Sequence, residues 1–356
     1  MHASTLNPPG RIVYLDFIRV ISCLMVVLVH SCEFFYPTIL AGNSFWLNLI
    51  DSALRACVPL FVMVSSYLLL PLRDHETPGV FYKRRFMRVL IPFLIWSVLY
   101  ATVPSLWGEF DGAEVRNKLV RLLYNFNMNA GHLWFVYMLI GVYLIMPVIS
   151  PWLKTVSKRF EQVFLVLWFA TTFYHYVKLL LPEILGECVW NEFTPFWYVS
   201  GYIGYVVLAH YIRMHVDWSV RKSVAVGLPL YLVGYVATFF IFDYFTRTSV
   251  EMADWERGWR FCTPNVALMT AGLFIMMKKI RCRNERVLRV VNDMSKLSYG
   301  IYLMHIFVLN AVYWTLSPCF GSIPLTIFVV GIVTFVLCYA LTKLISCLPG
   351  SRYLIG

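Results

Sequence analysis

The sequence predicts an all-α, polytopic membrane helix bundle of about ten transmembrane helices, with both termini cytoplasmic. Three observations predict it. Of the 356 residues, 60% are hydrophobic and only 14% charged, whereas a soluble domain carries roughly 25% charged residues. The apolar residues gather in runs of about 20, the length of helix that crosses a hydrocarbon core, where only backbones with closed hydrogen bonding survive. Lys and Arg, finally, divide unevenly between alternate connections.

Taken in order, the first run covers 12–36. A cleaved signal has a basic start, a short apolar stretch and a small-residue cleavage site. Here Arg19 interrupts the run and Ser31-Cys32-Glu33 leads into aromatics, so the run reads as a mature helix. A second helix covers 44–71, with Arg55 inside it, and Arg73–Pro78 ends it with charge and proline. The third covers 87–107 and stops before Phe110–Gly112. Further helices cover 132–150, 161–181, 194–214, 222–244, 261–279, 296–317 and 323–347, the last two separated by Pro318–Pro324. No connection exceeds about 25 residues, so a single transmembrane domain over 1–356 without a fused soluble domain is expected. Neither an internal repeat nor a low-complexity segment stands out.

Charge sets the orientation. With the N-terminus inside, 21 of the 30 Lys and Arg fall on cytoplasmic segments and 7 on the opposite side; Arg19 and Arg55 lie within helices. That asymmetry is the positive-inside pattern. The net charge of +11 then serves topology and contact with anionic membrane lipids. Nucleic-acid binding would need a soluble basic domain, and none is present. The nine cysteines are scattered without a Cys-x-x-Cys pair, so neither metal nor haem binding is expected, and a Cys188–Cys262 disulfide stays open.

Polar groups at lipid depth are costly and mark the chemistry. Arg19 and His30 are three helical turns apart on one face, roughly 16 Å along the axis. Asp16 stands three residues before Arg19 and Glu33 three after His30, spacings at which each can pair. His30 is either a buried neutral histidine bonded to a neighbouring helix or a base that Glu33 orients. Arg55 lies about as deep as His30; it could stabilise the oxyanion of an acyl-transfer intermediate or form an ion pair with Glu33 that only joins helices. The basic segment Lys83-Arg84-Arg85-Phe86-Met87-Arg88 is a topology determinant by its plainer reading. By the sharper one it is a site for a phosphorylated cytoplasmic donor.

Five segments together resemble the acyltransferase family 3 membrane proteins. Tyr14-Leu15-Asp16-Phe17-Ile18-Arg19 with His30 resembles that family's first helix, and Val58-Pro59-Leu60-Phe61-Val62-Met63-Val64-Ser65-Ser66-Tyr67 its second. Lys83–Pro92 resembles its basic loop, Gly131-His132-Leu133-Trp134-Phe135-Val136-Tyr137 the start of its fourth helix, and Ser298-Tyr299-Gly300-Ile301-Tyr302-Leu303-Met304-His305 its late helix. The second-helix motif departs where the family has Ser-Gly and this chain has Ser65-Ser66, which should tighten helix contact less well.

The resemblance implies a membrane O-acyltransferase, and most simply an O-acetyltransferase, of the bacterial inner membrane. Acyl-CoA, expected to be acetyl-CoA, would be a co-substrate docking from the cytoplasm, with no permanently bound cofactor and no metal. Lys83, Arg84, Arg85 and Arg88 would hold its phosphates and Arg19 would line its path. His30 would act as base on the acceptor hydroxyl or carry the acyl group briefly, with Asp16, Glu33 and Arg55 supporting it. The acceptor, a glycan or lipid-linked sugar, would approach at the extracytoplasmic side near His132, Trp134 and Tyr137. For Trp134 the aromatic interface belt is an equal reading, and His305 reads as a satisfied core histidine. The main alternative is a secondary transporter of a small anion or lipid-linked sugar, with intramembrane Arg and His as ligands. Such transporters often show paired broken halves, which this chain lacks.

Overall fold

The computed structural model describes residues 11–181, 184, 186–188, 191 and 194–356. Its long helices are α1 (Val13–Glu33), α2 (Phe45–Leu54), α3 (Cys57–Leu69), α4 (Pro78–Thr102), α5 (Trp134–Thr155), α6 (Lys158–Thr171), α7 (Ile203–His215), α8 (Val220–Thr248), α9 (Pro264–Met277), α10 (Glu285–Leu316) and α11 (Ile323–Ser346). There is no strand among the described residues. Nine segments among them are long and apolar enough to cross a membrane. The all-α polytopic bundle is therefore as expected.

The tenth expected helix, 194–214, is present but shorter. Gly201 adopts a left-handed φ of +79°, which an L side chain disfavours, and regular helix begins only at Ile203. The 13 residues of α7 fall short of the roughly 20 that span a hydrocarbon core. The segment still runs antiparallel to α6. Glu161 in the first turn of α6 meets His210 and His215 at the end of α7, and Trp168 Nε1, two turns along, donates to Gly201 O at 2.8 Å.

Two other expectations need correction. The helix expected at 87–107 begins nine residues earlier. Thr77 caps it by accepting from Val80 N, and Pro78 at its first position has no N–H to lose. Lys83–Arg88 is therefore helix, not loop. The helix expected at 44–71 is broken at Arg55–Ala56. Pro59 has no N–H to bond back to the Arg55 carbonyl, so α2 stops at Leu54 and Pro59 sits in the first turn of α3, where it is tolerated.

Helix α1 is central, packed against α3, α10 and α11. Both described ends of the chain lie on the same half of α10. Asp16 Oδ1 accepts from Ser295 at 2.6 Å, and Ile355 packs beside Gly300. Ser66 is buried, and its hydroxyl donates to Val62 O of its own helix at 2.8 Å. Cys188 and Cys262 are both free thiols.

Among the described residues, α8 and α9 form the most extensive helix pairing. A Cβ added at Gly272 would lie 2.3 Å from Gly227 O and 2.8 Å from Tyr231 N, both backbone atoms. Small residues at such a crossing let backbones approach, and lipid gives helices no hydrophobic reason to stay together otherwise. Gly272→Ala is thus expected to force α8 and α9 apart and lower the melting temperature in detergent by several degrees. An unchanged melting temperature would refute the tight crossing.

Candidate active site

Helix α1 builds one wall of the site. At 3.6 residues per turn, Arg19, Val26, His30 and Glu33 fall within about 40° of Arg19 on its surface, and all four line one cavity of about 830 Å³. The same cavity takes Ser65 from α3, Arg85 and Arg88 from α4, His132, Trp134, Phe135 and Tyr143 from α5 and its approach, and Ser295, Lys296 and Tyr302 from α10. Its far end is lined by Tyr36, Arg55, Glu256, Trp259, Arg260 and Phe261. From Arg19 to Glu33 the passage follows α1 for about 21 Å, some two-thirds of a hydrocarbon core of about 30 Å.

One end of the passage is cationic. Arg85, Arg88 and Val89 repeat at i, i+3 and i+4, which turns them onto the cavity face of α4. Among the described residues, no carboxylate lies within ion-pair distance of Arg85, Arg88 or Lys296. Arg84 is one step round the helix and reaches Glu76 at 3.1 Å, and Lys83 is exposed. Of the four residues expected to hold the donor, helical geometry turns Arg85 and Arg88 to the cavity and Lys83 and Arg84 away from it. Arg19 does line it. Its expected direct pairing with Asp16 is replaced by a bridge: Arg19 Nη1 donates to Ser295 Oγ at 3.2 Å, Ser295 donates to Asp16 at 2.6 Å, and Asp16 pairs with Arg11 at 2.7 Å. Asp16 itself lies outside the cavity.

Two imidazoles, His30 and His132, line the middle, and a third, His305, stands behind the wall beside them. His30 and His132 ring centres are 6.3 Å apart, His30 and His305 5.0 Å, and His132 and His305 4.9 Å. Tyr302 donates its hydroxyl to the His132 carbonyl at 2.5 Å. Glu33 Oε1 lies 2.8 Å from His30 Nδ1, yet off the line of the ring N–H, so Nδ1 makes no hydrogen bond there. Val26, Val29, Phe61 and Leu139 supply apolar wall around the imidazoles.

The other end combines aromatic rings with both signs of charge. Arg55 is almost wholly buried and pairs with the fully buried Asp51, one turn earlier on α2. Its guanidinium sits 3.9 Å over the Trp259 ring, a cation–π contact. The anticipated Arg55–Glu33 pair does not form. Trp134 stacks on Phe261 with centres 5.5 Å apart and lines the cavity, as His132 does. Tyr137 does not. The cavity stripe of α5 is Phe135, Leu139 and Tyr143, spaced by four, and Tyr137 lies about 200° from Phe135, against Phe93 at 5.3 Å. Asp51, Ser295, Tyr302, Trp259, Glu256 and Arg260 were not singled out from the sequence. For Asp51 a signal existed: it stands four residues before Arg55, the spacing of a helical ion pair.

A family model described as an acyltransferase domain, that of acyltransferase family 3, matches residues 12–343. The chain belongs to acyltransferase family 3. This acyltransferase is 23% identical over 337 residues to YfiQ of Bacillus subtilis (strain 168), a protein whose name carries a provisional assignment as a membrane-bound acyltransferase; the match covers 89% of this chain and 87% of YfiQ. No solved structure matches the acyltransferase. With its apolar helices, family membership makes the protein a multi-pass membrane acyltransferase.

Proposed function

We propose that this acyltransferase takes an acetyl group from acetyl-CoA in the cytoplasm. It passes the group to a hydroxyl of a glycan or lipid-linked sugar on the far side of the bacterial inner membrane. The observation that carries this reading is the single cavity joining a mouth of unpaired cations, through His30, to an aromatic and mixed-charge end. In this reading the termini and the cationic mouth face the cytoplasm, as the 21-to-7 division of Lys and Arg favours.

Arg85 and Arg88 hold the donor's phosphates, since guanidinium forks match phosphate oxygens. The pantetheine arm passes Arg19, and the thioester carbonyl comes to rest beside His30. His30 takes the proton of the acceptor hydroxyl as its oxygen attacks the carbonyl carbon. The carbon–oxygen bond forms, the carbon–sulfur bond breaks, and the departing thiolate recovers the proton from His30. Trp134, Trp259, Glu256 and Arg260 offer the stacking faces and polar groups that a sugar requires. Acetyl-CoA enters as co-substrate, and the steps use no resident cofactor.

Sidedness tests the proposal. Labelled acetyl-CoA supplied to the cytoplasmic face of inverted vesicles should label a lumenal glycan, and donor supplied only to the opposite face should not. Equal labelling from both faces would refute the orientation. Failure of the folded enzyme to consume acetyl-CoA with any hydroxylated acceptor would refute the donor. Arg85→Ala and Arg88→Ala should each raise the donor KM by at least about tenfold, because a charge-assisted hydrogen bond is worth roughly 1.5–3 kcal/mol. Lys83→Ala and Arg84→Ala should move it by less than about threefold. The phosphate assignment fails if the two pairs behave alike.

A further inference from the structure

His305 is fully buried on α10, behind the cavity wall and beside His30. Its Nδ1 contacts the Tyr302 carbonyl oxygen of its own helix. A carbonyl oxygen only accepts, so Nδ1 carries the hydrogen and Nε2 is left with a bare lone pair. That Nε2 is buried and has no hydrogen-bond partner.

His30 has the complementary vacancy. If its Nε2 takes the acceptor's proton, its Nδ1 must keep a hydrogen throughout the reaction, and a buried N–H needs an acceptor. Nδ1 is buried without one. Glu33 is near but off line, and its side chain is 45% exposed, so water competes for it. A buried donor and a buried acceptor, hydrogen-bonded in the structure neither to each other nor to any other group, thus sit on two rings whose centres are 5.0 Å apart. An imidazole pair joined by an N–H···N bond of about 2.9 Å has ring centres about 5 Å apart.

We propose that His305 is the positioning residue of His30: its Nε2 accepts from His30 Nδ1–H, which fixes the tautomer that leaves His30 Nε2 free as the base. The proposal rests on the reading of His30 as base. No proton is transferred to His305. It holds the His30 ring while the proton travels from acceptor hydroxyl to His30 Nε2 and on to the leaving thiolate, and its lone pair faces the positive charge that His30 carries in between. The arrangement has the logic of a base oriented by a third group, with a neutral imidazole where a carboxylate commonly stands.

Two substitutions separate this role from packing. Asn at 305 keeps an amide where Nδ1 bonds the Tyr302 carbonyl and removes the Nε2 acceptor; Gln places its amide oxygen near Nε2. His305→Asn should lower kcat by at least about tenfold with donor KM unchanged, and His305→Gln should restore the rate to within about threefold of wild type. Equal losses in both variants, or a wild-type rate in His305→Asn, would overturn the proposal. Nitrogen-15 spectra of histidine-labelled wild-type protein give a readout independent of turnover and of variant folding. His305 should show hydrogen on Nδ1 and His30 hydrogen on Nδ1. Hydrogen on His305 Nε2 overturns the inference whatever the reaction proves to be, whereas absence of acetyl-CoA turnover by wild type overturns only the proposed function.

Discussion

His30→Ala is expected to lower acyl transfer by about 10²- to 10⁴-fold, the range general-base catalysis supplies, while labelled acetyl-CoA still binds in detergent. His30 lies about three helical turns from Arg19 along α1, and both line the cavity. In the proposed reading Arg85 and Arg88 hold the donor's phosphates at the Arg19 end of the cavity, so removing the imidazole should separate chemistry from binding. Donor binding in both proteins with thioester turnover only in wild type is the expected result. Transfer at the wild-type rate by a folded His30→Ala protein would refute the mechanism. Loss of donor binding along with transfer would mean that His30 shapes the cavity and does not act as its base.

Asp51→Ala should destabilise the protein by about 3–5 kcal/mol, the cost of leaving a buried ion without its partner. Asp51 is fully buried, and Arg55 would keep the face of Trp259 and the neighbouring Tyr36 hydroxyl but no carboxylate partner. The same pair separates the two roles open to Arg55. Replacing both charges with apolar residues of similar volume, as in Asp51→Leu with Arg55→Met, should recover most of the stability, because the cost is that of an unmatched charge. If Arg55 also stabilises the oxyanion, the double variant stays folded and binds donor but loses about 10²- to 10³-fold in kcat. A stable double variant with full activity would reduce Arg55 to a helix-joining residue.

The bundle was legible because membrane crossing is written in composition: a run of apolar residues must be helical, and nine of the ten expected runs recur as spans. The tenth was overextended, since Gly201 and its left-handed turn cannot be told from other glycines without backbone angles. On the first helix the cavity-facing stripe was legible. The α1 stripe of Arg19, His30 and Glu33 follows from the helical period alone. Without its Thr77 cap in view, Lys83–Arg88 reads as one basic loop; in the helix that forms, 100° per residue divides the four cations. Partners on different helices stayed hidden. Nothing in local spacing connects Ser295 with Arg19, 276 residues away, or His305 with His30.

The break between α2 and α3 has an electrostatic meaning. A helix end carries the equivalent of roughly half a charge, positive at its N-terminus and negative at its C-terminus. Pro59 therefore places one end of each sign at mid-depth in the membrane, where an unbroken helix would have none. The negative end of α2 is met by Arg55 itself. The positive end of α3 opens at Cys57 and Val58, both on the cavity wall. It favours whatever negative charge develops there, without adding a further ionised side chain to the apolar interior.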